Sequence, residues 1–175
     1  MSIVRHLLTA ALLLTGLLAV TPPSRAALAM PNHVQASLVA ADEAVQAGKP
    51  VTVALRFVHD AHWHTYWKNP GTGLPTSLEW KLPPGWTAGE IQWPAPHILK
   101  DSRGNTVGNG YEGELFLPVT LTPPADLKPG GSVTLTAAAD WLMCEDICIP
   151  GSATVSVTLP VTGETPKSDA NWGQK

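Results

Sequence analysis

The sequence predicts an all-β domain behind a removable leader. Helical periodicity is hard to find beyond the first 29 residues, apolar and polar residues alternate with period two in short runs, and 17 prolines and 15 glycines punctuate the chain at close intervals.

The leader comes first. Arg5 and His6 precede an apolar run from Leu7 to Val20, then Pro22-Pro23, and the small residues Ala27-Leu28-Ala29 stand ahead of Met30. This is the pattern of a secretory signal peptide over residues 1–29. The run is about 14 residues, short of the roughly 20 needed to span a bilayer, and no later segment is long and apolar enough. With no cysteine near the cleavage site to carry a lipid, the mature chain is expected to be soluble. Cleavage after Ala29 removes Arg5 and Arg25 and no acid, leaving 9 basic against 14 acidic side chains, so nucleic acid is an unsuitable ligand. About 146 residues remain, enough for one domain with its own core.

Strands are expected at His33 to Ala40, Val51 to Val58, His62 to Trp67, Thr76 to Trp80, Ala88 to Gln92, Glu114 to Leu121, Ser132 to Ala139 and Ala153 to Leu159. Between them, Ala47-Gly48-Lys49-Pro50, Asn69-Pro70-Gly71, Pro83-Pro84-Gly85, Pro123-Pro124 and Lys128-Pro129-Gly130-Gly131 supply turn chemistry. Short strands at this spacing fit an immunoglobulin-like two-sheet β-sandwich over residues 30–160. Trp93 to Gly113, holding Pro94, Pro96, Gly104, Gly108 and Gly110, reads as a stretch without a clear strand, and long loops are often functional. Residues 161–175 read as a polar tail or linker.

Chemistry concentrates at Cys144 and Cys148, the two cysteines of the chain. A strand is expected to end at Ala139, and Pro150-Gly151 to turn the chain into the next one, placing the pair on or beside a hairpin turn. Three intervening residues let the two Cα atoms approach closely enough for a disulfide, and export leads to an oxidising compartment where such a pair closes at rest. A loop this short stabilises little, about 2 kcal/mol, so the pair suits reversible exchange as well as a hairpin staple. Glu145 and Asp146 place negative charge beside both sulfurs and are expected to raise the thiol pKa. Trp141 and Pro150 are the candidates to pack on the disulfide.

Other constellations are weaker. His62 and His64, with His59 nearby, would share one face of a strand and are weak candidates for copper or zinc, with Met143 as a soft ligand. Their alternative is a polar, partly packed strand. Two thiolates without a further Cys-x-x-Cys make an incomplete zinc site, so no metal cofactor is expected. Seven tryptophans are either core or a carbohydrate platform, and strand placement favours core. Hydrolase and kinase motifs are absent from the sequence.

Trp141-Leu142-x-Cys144-x-x-x-Cys148-x-Pro150, preceded by Trp63-His64-x-Tyr66-Trp67-x-Asn69-Pro70-Gly71 and by Gln92-Trp93-Pro94-Ala95-Pro96, resembles the amino-terminal periplasmic domain of the thiol:disulfide interchange protein DsbD, in its copper-sensitivity suppressor ScsB branch. The resemblance implies an immunoglobulin-like sandwich in the periplasm with Cys144 and Cys148 as a redox-active disulfide. It further implies a protein-disulfide reductase type of oxidoreductase, taking electrons from a thioredoxin-like donor domain and a membrane electron transporter and passing them to periplasmic substrate proteins. Relatives shield the pair with a mobile cap loop, for which Trp93 to Gly113 is the candidate by position. The alternative is a non-catalytic exported binding module, holding copper or a protein partner, with a structural disulfide.

Overall fold

A computed structural model describes residues 31–170 and residue 172. The leader and its cleavage site lie outside the described residues. Eleven strands run in order β1 (Val34–Ala40), β2 (Val45–Gln46), β3 (Val51–His59), β4 (His64–Tyr66), β5 (Ser77–Lys81), β6 (Thr87–Ala88), β7 (His97–Lys100), β8 (Thr106–Glu112), β9 (Glu114–Thr122), β10 (Gly131–Cys144) and β11 (Cys148–Thr162). They form two sheets, β1-β3-β9-β6 and β2-β11-β10-β4-β8-β7, with β5 also paired to β10. The all-β, immunoglobulin-like sandwich expected from the alternation is what the chain adopts.

Because side chains alternate across a pleat, each central strand sends every second residue inward. Val51, Val53, Leu55 and Phe57 of β3 and Leu115, Leu117, Val119 and Leu121 of β9 meet Leu135, Ala137, Ala139, Trp141 and Met143 of β10. Each fully buried Leu or Phe contributes about 1.5–3 kcal/mol. Trp63, Trp86 and Trp141 are buried, while Trp67, Trp80 and Trp93 pack partly buried against the same core. The tryptophans therefore build the domain's interior.

Several expected boundaries move. The stretch from Trp93 to Gly113 contains the antiparallel hairpin β7–β8, with a register shift between Leu99 and Lys100. Gly104 serves a turn, but Gly108 and Gly110 serve close packing. A Cβ on Gly108 would stand 2.7 Å from the Pro70 carbonyl, and one on Gly110 would collide with the Thr65 carbonyl and lie 2.7 Å from Leu99. Of the strand expected at Ala88 to Gln92, only Ala88 pairs with β9, together with Thr87 before it, after which single bonds from the Gly89 and Gln92 amides keep the chain alongside. His62 adopts φ 71°, so β4 starts two residues later, at His64.

β10 and β11 run further than expected, pairing continuously from Gly131↔Val161 to Cys144↔Cys148. Pro150 and Gly151 are thus inside a strand, opposite Leu142 and Trp141, and the chain reverses instead at Glu145–Ile147. Pro150 is tolerated because β11 pairs only with β10 at this end, β2 joining at Val161 and Thr162 alone. Beyond Thr162 the chain returns to the end of β1: Glu43 N–H donates to the Lys167 carbonyl, Asp169 N–H to the Ala41 carbonyl, and Trp172 rests against Phe116.

Candidate functional site

Cys144 and Cys148 are joined in a disulfide across the end of the β10–β11 hairpin, their Cα atoms 4.1 Å apart. Directly opposed residues of an antiparallel pair share a face, so the sulfurs lie together on the side of the sheet away from the core. Their surroundings differ. β10 has β4 on its other flank, with Cys144 opposite His64, whereas β11 is locally an edge. Cys144 is accordingly 2% exposed, packed with Tyr66 and Leu99, while Cys148 is exposed.

The same parity decides the neighbours. Trp141 and Met143 point the opposite way from Cys144, into the core. Trp141 leans on Phe57, ring centroids 4.9 Å apart, and covers Gly151, where a Cβ would collide with the indole. The Met143 sulfur accepts the His33 N–H at 3.4 Å, so it offers nothing toward the cysteines. The aromatic ring beside the disulfide is Tyr66, whose hydroxyl lies 3.9 Å from Cys148 Sγ. Tyr66 stood in the sequence motif, but its strand gave no sign of which ring would reach the sulfur. Pro150 shares the cysteines' face by parity and is exposed. Glu145 and Asp146 occupy the exposed turn and line the cleft that opens over the disulfide.

Two loops wall that cleft. In one, Gly73 has φ 76°, and a Cβ there would collide with the Tyr66 ring. The same loop is tied to β8 by the Thr72 hydroxyl donating to the Val107 carbonyl and by the Asn109 N–H donating to the Pro70 carbonyl at 2.9 Å. The other is the tip of the β7–β8 hairpin, where Asp101, Ser102 and Arg103 line the cleft. The Asp101 carboxylate accepts the Arg103 N–H at 2.9 Å, the Asn105 N–H at 2.8 Å and the Asn105 side-chain amide at 2.9 Å. The Asn105 side chain, and then the backbone amides, hold the Asp101 carboxyl below its ordinary range. Asp-Ser-Arg-Gly-Asn carries Asp and Gly at the first and fourth turn positions, a signal from which this tip was readable.

The histidines divide. His59 Nδ1 bonds the Gly113 carbonyl at 2.6 Å and Nε2 meets the Thr65 hydroxyl at 2.9 Å, a packed structural role. Nδ1 must donate to that carbonyl, so in the neutral ring Nε2 accepts from Thr65. Burial lowers the His59 pKa. His64 is 4% exposed, its Nε2 lies 3.3 Å from the Tyr66 hydroxyl, and burial again lowers its pKa. His62 is exposed in the turn before β4, so strand alternation does not align it with His64, although both border one cleft. Among the described residues no three His, Cys, Asp or Glu side chains are grouped to hold a metal ion.

The crystal structure of the N-terminal periplasmic domain of ScsB from Proteus mirabilis superposes with a TM-score of 0.55 at 20% identity, covering 84% of this chain. This chain spans about half, 53%, of that one, and at such identity the likeness concerns the fold. A yeast GGA1 GAE domain is a more distant likeness, with a TM-score of 0.41 and 13% identity over 74% of this chain and 95% of that one. No curated protein matches. Among the described residues no helix is long and apolar enough to cross a membrane. Residues 35–160 match the model of the thiol:disulfide interchange protein DsbD N-terminal family, and the chain belongs to that family.

Proposed function

We propose that this domain is a periplasmic thiol-disulfide relay, taking two electrons from a thioredoxin-like or membrane-borne dithiol and passing them to disulfides of partner proteins. The unequal exposure of the two cysteines carries this reading. A thiolate attacks a disulfide sulfur along the S–S axis and needs open access to it. Cys148 Sγ offers that access on a local sheet edge, while Cys144 is covered by Tyr66 and Leu99. A donor thiolate therefore attacks Cys148, the S–S electron pair passes to Cys144, and the donor's second thiol releases Cys148 as the donor closes its own disulfide. In the reverse sense, Cys148 attacks a substrate disulfide and Cys144 resolves the mixed disulfide. Glu145 and Asp146 disfavour free thiolate beside the turn, which restrains unproductive attack before docking. The hairpin tip at Asp101 to Arg103 walls the cleft on one side.

The test is trapping and rate. Cys144→Ser should accumulate mixed disulfides through Cys148, Cys148→Ser should accumulate few, and a thioredoxin-like donor should reduce the parent rapidly. A potential below about −300 mV with slow reduction by that donor would instead describe a structural staple and defeat the proposal.

A further inference from the structure

The acid-lined cleft poses a problem for the chemistry above. Asp101, Glu145 and Asp146 border it against the guanidinium of Arg103 at the tip. A thiolate released there meets mostly like charge. Yet two polar side chains lead from the sheet interior to the exposed sulfur. His64 Nε2 is 3.3 Å from the Tyr66 hydroxyl, and that hydroxyl is 3.9 Å from Cys148 Sγ. The rings meet edge to face, centroids 5.2 Å apart, and both residues are 4% exposed. Gly73 and Gly108 leave room for the phenol, which holds its direction.

We propose that His64 is a positioning residue for the exchange chemistry: through the Tyr66 hydroxyl it directs a hydrogen-bond donor onto the Cys148 sulfur when the disulfide opens, and so holds that sulfur as thiolate. The inference rests on the relay reading above.

The bonding balances without a further reagent. When the donor dithiol closes its disulfide, Cys148 leaves with the electron pair of the broken S–S bond and no proton. Opening the bond frees the side chain to close the 3.9 Å gap. Tyr66 has one proton to give. That proton is free for sulfur when His64 presents its Nε2–H tautomer, which donates to the phenol oxygen instead of accepting from it. Burial keeps both groups in the needed forms, raising the Tyr66 pKa so that the phenol keeps its proton and lowering that of His64 so that the ring is neutral. The titratable groups facing His64 are Glu112 opposite on β8, Cys144 opposite on β10 and Tyr66 on its own strand. His59 is near enough to act on it electrostatically, and His62, Lys100, Asp101, Glu145 and Asp146 border its cleft.

The experiment measures iodoacetamide alkylation of the reduced protein against pH, with the product mapped to Cys148. Tyr66→Phe should move the inflection up by about one pH unit, a roughly tenfold slower reaction at pH 7. His64→Phe should move it in the same direction by less, and His64→Gln, which keeps an N–H near Nε2, should restore the parental profile. Matching thermal midpoints of the oxidised variants exclude general disruption, and if Tyr66→Phe does not fold, the contrast of Gln with Phe at position 64 decides alone. Superimposed profiles, or His64→Gln shifting as far as His64→Phe, overturn the proposal. Because alkylation needs no partner, donor-driven reduction of the parent scores the relay reading separately.

Discussion

Opening the disulfide should leave the domain folded and only modestly weaker. The bond joins residues separated by 4 in sequence, and for a loop of about five residues the loop-closure relation gives about 2 kcal/mol at 25 °C. The relation counts entropy removed from the unfolded chain, and the paired strands β10 and β11 keep the two ends together in the folded state whether or not the sulfurs are bonded. For a domain near 150 residues each kcal/mol moves the thermal midpoint by about 2–4 °C, so full reduction should lower it by about 4–8 °C. Thermal unfolding followed by tryptophan fluorescence, with and without excess dithiothreitol, measures the shift. The core tryptophans make both states visible. A fall beyond about 15 °C, or loss of a cooperative transition, would show the bond acting as a staple and refute the argument that the fold tolerates both redox states.

Two further outcomes follow from the site. Asp101→Ala removes the acceptor that organises the hairpin tip over the cleft, and should speed reduction of the disulfide by dithiothreitol severalfold, read as pseudo-first-order rates. A rate equal to the parent would show that the tip does not limit access. Acid should weaken the fold through His59, whose pKa is lowered mainly by burial. With the folded value below the unfolded one, the unfolded chain binds more protons as pH falls from about 6.5 toward the lowered value, so stability is present above that window and lost within it. Urea midpoints at pH 7.5 and 5.5 should diverge in the parent and diverge less in His59→Gln; equal divergence would remove His59 as a cause.

Much of this architecture was legible residue by residue. The runs at Val51 to Val58 and Glu114 to Leu121 show period-two alternation, and both became central strands with the expected residues inward. The β7–β8 hairpin was not legible, because Gly108 and Gly110 resemble turn residues until the Pro70 and Thr65 carbonyls are seen against them. Trp141 lies three residues before Cys144, an odd step that a pleated strand resolves to opposite faces, but only once β10 is known to continue through both. With the strand taken to end at Ala139, the parity could not be applied.

By itself the sequence determined the sandwich and the location of the cysteine pair, because alternation and cysteine spacing are local properties written along the chain, and its three motifs carried the resemblance to the family. Which sulfur is open and which ring reaches it were decided only in three dimensions. Cys144 and Cys148 are equivalent in sequence, and they differ because β4 covers the outer flank of one while, among the described residues, no strand covers the outer flank of the other. Burial and hydrogen bonding depend on what packs alongside from elsewhere in the chain, and Tyr66 lies 82 positions from the sulfur it faces.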